Sequence, residues 1–407
     1  MRILRAARLA PEGGVKALFF SYFALVGAFS PYLALYFESV GLTIAQIGVL
    51  MAMPQFMRIF GPPFWGWMAD RSRHRVSLLR ASAVVSLVVS LGIAAAGGSY
   101  GWLLALLALL FFATAAQAPI AEAMALTVSG GDSGRYGGMR LWGSIGFVIA
   151  VAVAGPVLDR VGVGRLPWMM AGLISLLLAV TWRLPEPDVV RGRAVSVRRR
   201  LREPVIAAFF ASCFLMLFAH AALYAFYSLY LDRLGFSKTA IGAVWTLGVL
   251  AEIVLFRVQR PLFERFGALP LLSFSMAVTV VRFALIGWDG GWWPVVVVTQ
   301  LMHAITFGMH HSAVMALLHR WFEPAQQARA QALYTTIGYG IGGSLGGLAA
   351  SAWWQQAGPP AAFYGAAVAA ALGWLAVALC QRFEYAATPD GRAGAGTKEG
   401  GAGCAGS

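Results

Sequence analysis

The chain has 407 residues, 59% of them hydrophobic and only 12% charged, where a soluble domain carries about 25% charged residues. That balance excludes a soluble globular enzyme and places the protein in a lipid bilayer. The net charge of +14 suits a nucleic-acid partner in the abstract, but the basic residues gather at the ends of apolar runs, where they set membrane topology, so nucleic acid is excluded.

In chain order, the basic start with Arg2, Arg5 and Arg8 is followed by Pro11 and Glu12 before the first apolar run, a pattern unlike a cleavable leader. Apolar runs near the roughly 20 residues that cross a hydrocarbon core then predict an all-α membrane protein with twelve transmembrane helices. They fall at 16–38, 44–66, 76–97, 102–126, 138–158, 166–184, 205–231, 239–258, 268–288, 293–317, 331–353 and 361–382. Most connections are short, so successive helices pack antiparallel. With the N-terminus inside, inner segments hold 24 of the 31 Lys and Arg residues and outer loops hold four, Arg160, Arg165, Arg233 and Lys238. This asymmetry puts both termini in the cytoplasm. Three cysteines, Cys213, Cys380 and Cys404, suggest neither a disulfide framework nor a zinc site.

Residues 1–184 are expected to form one six-helix bundle and residues 205–383 a second. The basic loop 185–204 joins them, and a Gly- and Ala-rich tail, 384–407, reads as disordered. The loop's arginines set topology and also suit anionic lipid. A shift of 194 residues superposes the halves without a gap: Tyr36 meets Tyr230, Glu38 meets Asp232, Gly41 meets Gly235, Gly48 meets Gly242, Asp70 meets Glu264 and Arg71 meets Arg265. Two parallel repeats around a central cavity are a transporter architecture, with the site near the midplane between them.

Charged residues inside spans are costly and mark function or pairing. The stretch APIAEAMALTVSGGDSGRYGGMRLWGSIGF, 118–147, sets Glu122 and Arg140 on two helices joined by a glycine-rich turn. A hairpin brings them side by side, as a substrate-binding pair or as a structural ion pair closing the hairpin. The same 194-residue shift superposes Arg58 on Glu252. Pseudo-symmetry lets both face one cavity, although each could also have a separate polar neighbour. Arg282, like Arg58 and Arg140, lies away from the span ends. Tyr32, Tyr224 and Tyr227, with His220 nearby, suit the wall of a cavity for a planar or hydroxylated solute. Tyr36 and Tyr230, near the outer ends, suit the interfacial belt. His303, His310 and His311 lack the further carboxylate or cysteine that would complete a metal set, so they are expected to be hydrogen-bonded or substrate-facing. No G-x-x-x-x-G-K-[ST] run and no nucleophile motif occurs, which argues against a nucleotide-driven pump and against an enzyme.

The loop GWMADRSRHR, Gly66 to Arg75, is similar to the signature G-x-x-x-D-R-x-G-R-R/K of the major facilitator superfamily. Gly66, Asp70, Arg71 and Arg75 match; Arg73 replaces a glycine and His74 a basic residue. The resemblance implies that these residues form a conformational gate on the inner face, with Glu264 and Arg265 a degraded copy. The hairpin also resembles that of lactose permease, in which the acid–base pair binds substrate; the Glu122-to-Arg140 spacing agrees without a gap. YGGMRLWGSIGF, HAALYAFYSLYL (220–231) and WTLGVLAEIVLF (245–256) resemble the phenylpropionate permease branch. This resemblance implies a bacterial inner-membrane symporter, working as a monomer without cofactor, that takes up a small aromatic carboxylate with protons. Uptake of nucleosides or oligosaccharides, or efflux by antiport, are the alternatives. Arg282 matches a ninth-span arginine of lactose permease and His303 its tenth-span histidine. Thr306 stands where that permease has its proton-carrying glutamate. The proton then needs another carrier, and Glu252 is the first candidate, because a carboxyl buried in an apolar span can exchange a proton. Glu122 is the second.

Overall fold

The computed structural model describes residues 10–72, 74–130, 132–186, 197 and 199–387, and these are helices and connecting turns without a strand. Arg2, Arg5, Arg8, most of the basic loop and the tail from residue 388 lie outside the described residues. Among the described residues, eleven helices are long and apolar enough to cross a membrane: Pro11–Phe29, Ile44–Ala69, Arg75–Ala95, Tyr100–Ser129, Gly134–Val161, Val163–Arg183, Pro204–Arg233, Lys238–Val258, Ala268–Asp289, Trp293–Trp321 and Pro359–Ala386. They match eleven of the twelve expected spans in order. The other, eleventh in the chain, is helical through Pro324–Tyr334, a π-type turn at Thr335–Gly342 and Gly343–Ala357. Its glycines dilute its apolar character.

Proline explains two departures from continuous helix. The expected span 16–38 is broken into Pro11–Phe29 and Leu33–Ser39, because Pro31 has no N–H to carry the ladder onward. The fourth span breaks at Ala115–Ala116, where the ring of Pro119 crowds the carbonyl four residues back. The tenth span carries its own π-type turn at Ala304–Met309.

Glycines let helices cross at backbone distance within each half. A side chain at Gly146 in the fifth span would meet the backbone of Phe20 in the first. One at Gly346 in the eleventh would meet the backbone of Phe218 in the seventh. The two crossings are repeat-related, first with fifth and seventh with eleventh.

The buried cores divide the molecule unevenly. One large cluster, including Tyr32, Phe37, Leu158, Phe226 and Trp354, joins both halves. Two separate clusters lie beyond it. One is built on Val15, Phe19, Val76 and Met124, the other on Phe209, Met216, Leu317 and Tyr334. The halves therefore meet at one face and part at the face where the first span begins. Polar contacts close the joined face. The Asp159 carboxylate, at the end of the fifth span, accepts from the backbone N–H of Lys238 and Thr239 at 2.9 Å each and from the Thr239 hydroxyl at 2.6 Å. It thereby occupies the N-terminus of the eighth span, where helix dipoles favour an anion. Arg233 donates to Glu38 at 2.7 and 3.0 Å. At the repeat-related contact, the Ser351 hydroxyl donates to the Ile44 carbonyl at 2.9 Å.

The tyrosines differ from expectation here. Tyr32 is fully buried and its hydroxyl donates to the carbonyls of Val151 and Lys238 at 3.3 and 3.2 Å. It belongs to the closed face rather than to a cavity wall. Gly242 and Gly155 leave the room its hydroxyl needs. Tyr36 and Tyr230 are buried as well, 4% and 7% exposed, and do not sit in an interfacial belt. The Tyr36 hydroxyl reaches the Ile93 carbonyl at 3.4 Å.

Candidate functional site

Between the parted clusters lies a cavity of about 1410 Å³. Its lining runs from mid-span residues such as Met51, Leu110 and Trp245 to Pro62, Tyr136, Arg257 and Ala332 near the open face. Glu122, Arg140, Arg58, Glu252, Tyr224 and His303 all line it.

One wall is built by the first, second, fourth and fifth spans. Arg140 Nε donates to Glu122 Oε1 at 3.1 Å, so the two lie side by side as the hairpin predicts. The Tyr136 hydroxyl donates to Glu122 Oε2 at 2.5 Å. The Arg140 guanidinium lies over the Phe23 ring, 4.3 Å from its centroid, a favourable cation–π geometry. Arg58 stacks on Tyr339 of the opposite half at 4.9 Å. No carboxylate among the described residues is within ion-pair distance of Arg58.

The other wall is largely aromatic and comes from the seventh, eighth, tenth and eleventh spans. Tyr224 stacks on Trp245, with centroids 6.1 Å apart. His303, Phe307 and His311 form a near-parallel ladder along the tenth span, with centroid spacings of 5.3 and 6.5 Å. Residues four apart share a helix face, so this ladder follows from their positions. Glu252 Oε2 lies 4.0 Å from His303 Nε2.

Behind this wall Arg282 is completely buried. Its Nη1 donates to His303 Nδ1 at 3.0 Å and to the Thr306 hydroxyl oxygen at 2.9 Å. A guanidinium only donates, so Nδ1 accepts and the proton of neutral His303 sits on Nε2, facing Glu252. His220 is also fully buried; its Nδ1 lies 3.1 Å from the Met216 carbonyl and its Nε2 3.4 Å from Thr306 Oγ1. Arg282, His220 and Tyr227 are therefore one layer removed from the cavity surface, unlike the direct exposure expected of His220 and Tyr227. Tyr227 is 1% exposed and packs edge-on against Phe363. His310 is buried too, while His311 reaches the cavity.

At the open face, the stretch Gly66 to Arg75 is described in part, and it is not all loop: the helix of the second span continues through Arg71 and the next helix starts at Arg75. Open space surrounds Gly66. Arg71 lies over the Trp67 ring at 4.1 Å, and Arg75 is 9% exposed. The side chain of Asp70 and the whole of Arg73 lie outside the described residues. The Glu186 carboxylate accepts from the backbone N–H of Val76 at 3.0 Å and Ser77 at 3.2 Å, satisfying donors left open at the start of the third span.

Sequence reasoning missed Tyr136, Phe23, Phe307 and Tyr339 as cavity residues. Tyr136 carried a usable signal, since it stands four residues before Arg140 and so on the same helix face.

Two helical bundles around a central cavity open to one face define a solute transporter of the membrane. The chain belongs to the MFS_1 like family, whose family model matches residues 14–365; it is a major facilitator superfamily transporter and not an enzyme. Over 340 residues it is 29% identical to the "Probable 3-phenylpropionic acid transporter" of Escherichia coli (strain K12), covering 80% of this chain and 86% of the relative. Over 328 residues it is 27% identical to the "Maltose permease" of Geobacillus stearothermophilus, covering 80% and 83%. Among solved structures, the nucleoside transporter NupG superposes with a TM-score of 0.77 at 17% identity, covering 92% of this chain and 100% of that one.

Proposed function

We propose that the protein carries a small aromatic carboxylate such as 3-phenylpropionate into a bacterial cell together with a proton. The observation that carries this reading is the pairing of walls: Arg58 and Arg140 face a surface of stacked rings that includes Tyr224, Trp245, Phe307 and His303. A guanidinium recognises a carboxylate and planar rings receive an aryl group. Similarity to a phenylpropionic acid transporter supports the same choice. Glu252 is the proton carrier in this reading, and buried Arg282 holds His303 toward it. Tyr227 and His220 support the aromatic wall from behind, and Tyr32 acts in closure rather than binding. The test is uptake of labelled 3-phenylpropionate into cells expressing the protein, with and without a protonophore. Accumulation that the protonophore removes is expected; no uptake above background removes this substrate.

A second reading, proton-linked uptake of a sugar or nucleoside, draws on the acceptor oxygens of Glu122 beside the Arg140 donors, a combination suited to hydroxyl groups. The maltose permease and NupG similarities point the same way.

The halves divide at 1–184 and 205–383 in this proposal, with both termini in the cytoplasm of an inner-membrane monomer. The cavity then opens inward and Gly66, Asp70, Arg71 and Arg75 belong to the gate that shuts it. Asp159 latches the outer face. Its replacement, Asp159→Asn, removes the charge from the helix N-terminus and is expected to shift the closed-to-open ratio of that face about fivefold, or about 1 kcal/mol. Labelling of a cysteine at Ser30→Cys by an impermeant maleimide on intact cells reads this shift as a faster reaction. An unchanged rate removes the latch.

A further inference from the structure

We propose that Tyr136, together with Phe23 and Gly143, fixes Arg140 as a two-pronged receptor for a carboxylate, which makes Tyr136 a positioning residue of the substrate site. The inference rests on the reading of the cavity as a carboxylate site and adds how that site is held in shape.

Glu122 has two carboxylate oxygens and a different partner for each. A carboxylate beside an arginine tends to take both prongs of the guanidinium in a parallel pair of bonds. Here it does not. The Tyr136 hydroxyl occupies Oε2 at 2.5 Å, which leaves Oε1 for Arg140, and Oε1 meets Nε at 3.1 Å. No other hydrogen bond or ion pair engages Arg140 among the described residues. Its Nη1 and Nη2 edge is therefore unoccupied at the cavity wall. Arg140 is 36% exposed there.

Two further residues fix the plane of that edge. The Phe23 ring supports the guanidinium face at 4.3 Å. Gly143, three residues after Arg140 on the same span, makes the packing possible. A Cβ at Gly143 would stand 2.8 Å from Arg140 Nη1 and 2.7 Å from the Phe23 ring, so a side chain there displaces one or both. Tyr136, Phe23, Glu122 and Arg140 all line the cavity. The geometry makes the hairpin pair a shaped receptor rather than a closed ion pair. Glu122 orients the arginine and Tyr136 keeps Glu122 from covering it.

Loss of the phenol hydroxyl frees Glu122 to swing onto the Nη edge and compete with substrate. The experiment uses the purified full-length chain and isothermal titration with three probes: 3-phenylpropionate, hexanoate and uncharged 3-phenylpropanamide. Tyr136→Phe is expected to weaken both carboxylates about tenfold, the scale of one charged hydrogen bond, and to leave the amide within about twofold. Gly143→Ala provides the same split through a different atom. Arg140→Lys keeps the charge but not the fork, and is expected to narrow the preference for acid over amide as well. Carboxylate affinities unchanged in both Tyr136→Phe and Gly143→Ala overturn the proposal, as does an equal loss for acids and amide, which marks a merely structural tyrosine. Hexanoate binding that depends on Tyr136, with no binding of 3-phenylpropionate, keeps the receptor and removes the aromatic substrate. A wild-type protein that binds no carboxylate removes both.

Discussion

Arg140→Ala is expected to weaken substrate binding at least a hundredfold. The side chain supplies the unoccupied Nη1 and Nη2 donors on the wall and is the ion-pair partner of Glu122. Its removal takes away the fork and leaves the Glu122 carboxylate bonded only to Tyr136, facing an anionic ligand. Loss of one member of a hydrogen-bonded charge pair costs about 2–5 kcal/mol, and about 2.7 kcal/mol corresponds to a hundredfold. The loss is expected for an acid and also for a sugar or nucleoside, since each uses these donors. Titration of the purified variant, alongside counterflow in vesicles, measures it. Binding within a few-fold of wild type removes Arg140 from the site, whichever solute is carried.

Glu252→Gln is expected to abolish proton-driven accumulation while exchange of internal for external substrate continues. The reason is a charge ledger on the cavity wall. Glu252 lies 4.0 Å from His303 Nε2, and His303 in turn accepts from buried Arg282. Protonating Glu252 removes one negative charge from the wall facing the substrate, so an anion binds more tightly to the protonated carrier and the proton more tightly to the loaded one. This reciprocity is a thermodynamic requirement of linkage. Glutamine mimics the protonated carboxyl permanently. It keeps the affinity for the anion but has no proton to release, so the gradient no longer drives net movement. Vesicles with an imposed pH gradient test accumulation, and counterflow tests exchange. Accumulation that persists in Glu252→Gln places the proton on another group, with Glu122 the first to examine.

The sequence carried much of this arrangement, for identifiable reasons. Length and apolarity are enough to mark a span, and the short connection between the helix ending at Ser129 and the helix starting at Ser133 leaves Glu122 and Arg140 few options but adjacency. The 194-residue repeat brings Arg58 and Glu252 to the same cavity because repeat-related helices face it in the same way. The tyrosines were less legible. A phenol near the end of a span has the same neighbours in sequence whether it faces lipid, a cavity or the other half of the protein, and only packing decides. Tyr32 found two carbonyls across the joined face, and Tyr227 found Phe363. The breaks near Pro31 and Pro119 follow from proline geometry. The π-type turns at Ala304–Met309 and Thr335–Gly342 have no comparable one-residue signal. The hydroxyl of Tyr136 has meaning only once Glu122 is seen to have two oxygens and two different partners.

The glycine-rich eleventh segment bears on how the protein enters its membrane during synthesis. A stretch of chain leaves the translocon for lipid when its own side chains favour hydrocarbon, and Pro324–Ala357 is not among the helices apolar enough to do so by composition. What it has instead is fit: a side chain at Gly342 or Gly346 would meet the backbone of Phe214 or Phe218 in the seventh span. Its partitioning into lipid is therefore expected to lean on this fit to a helix that is synthesised earlier.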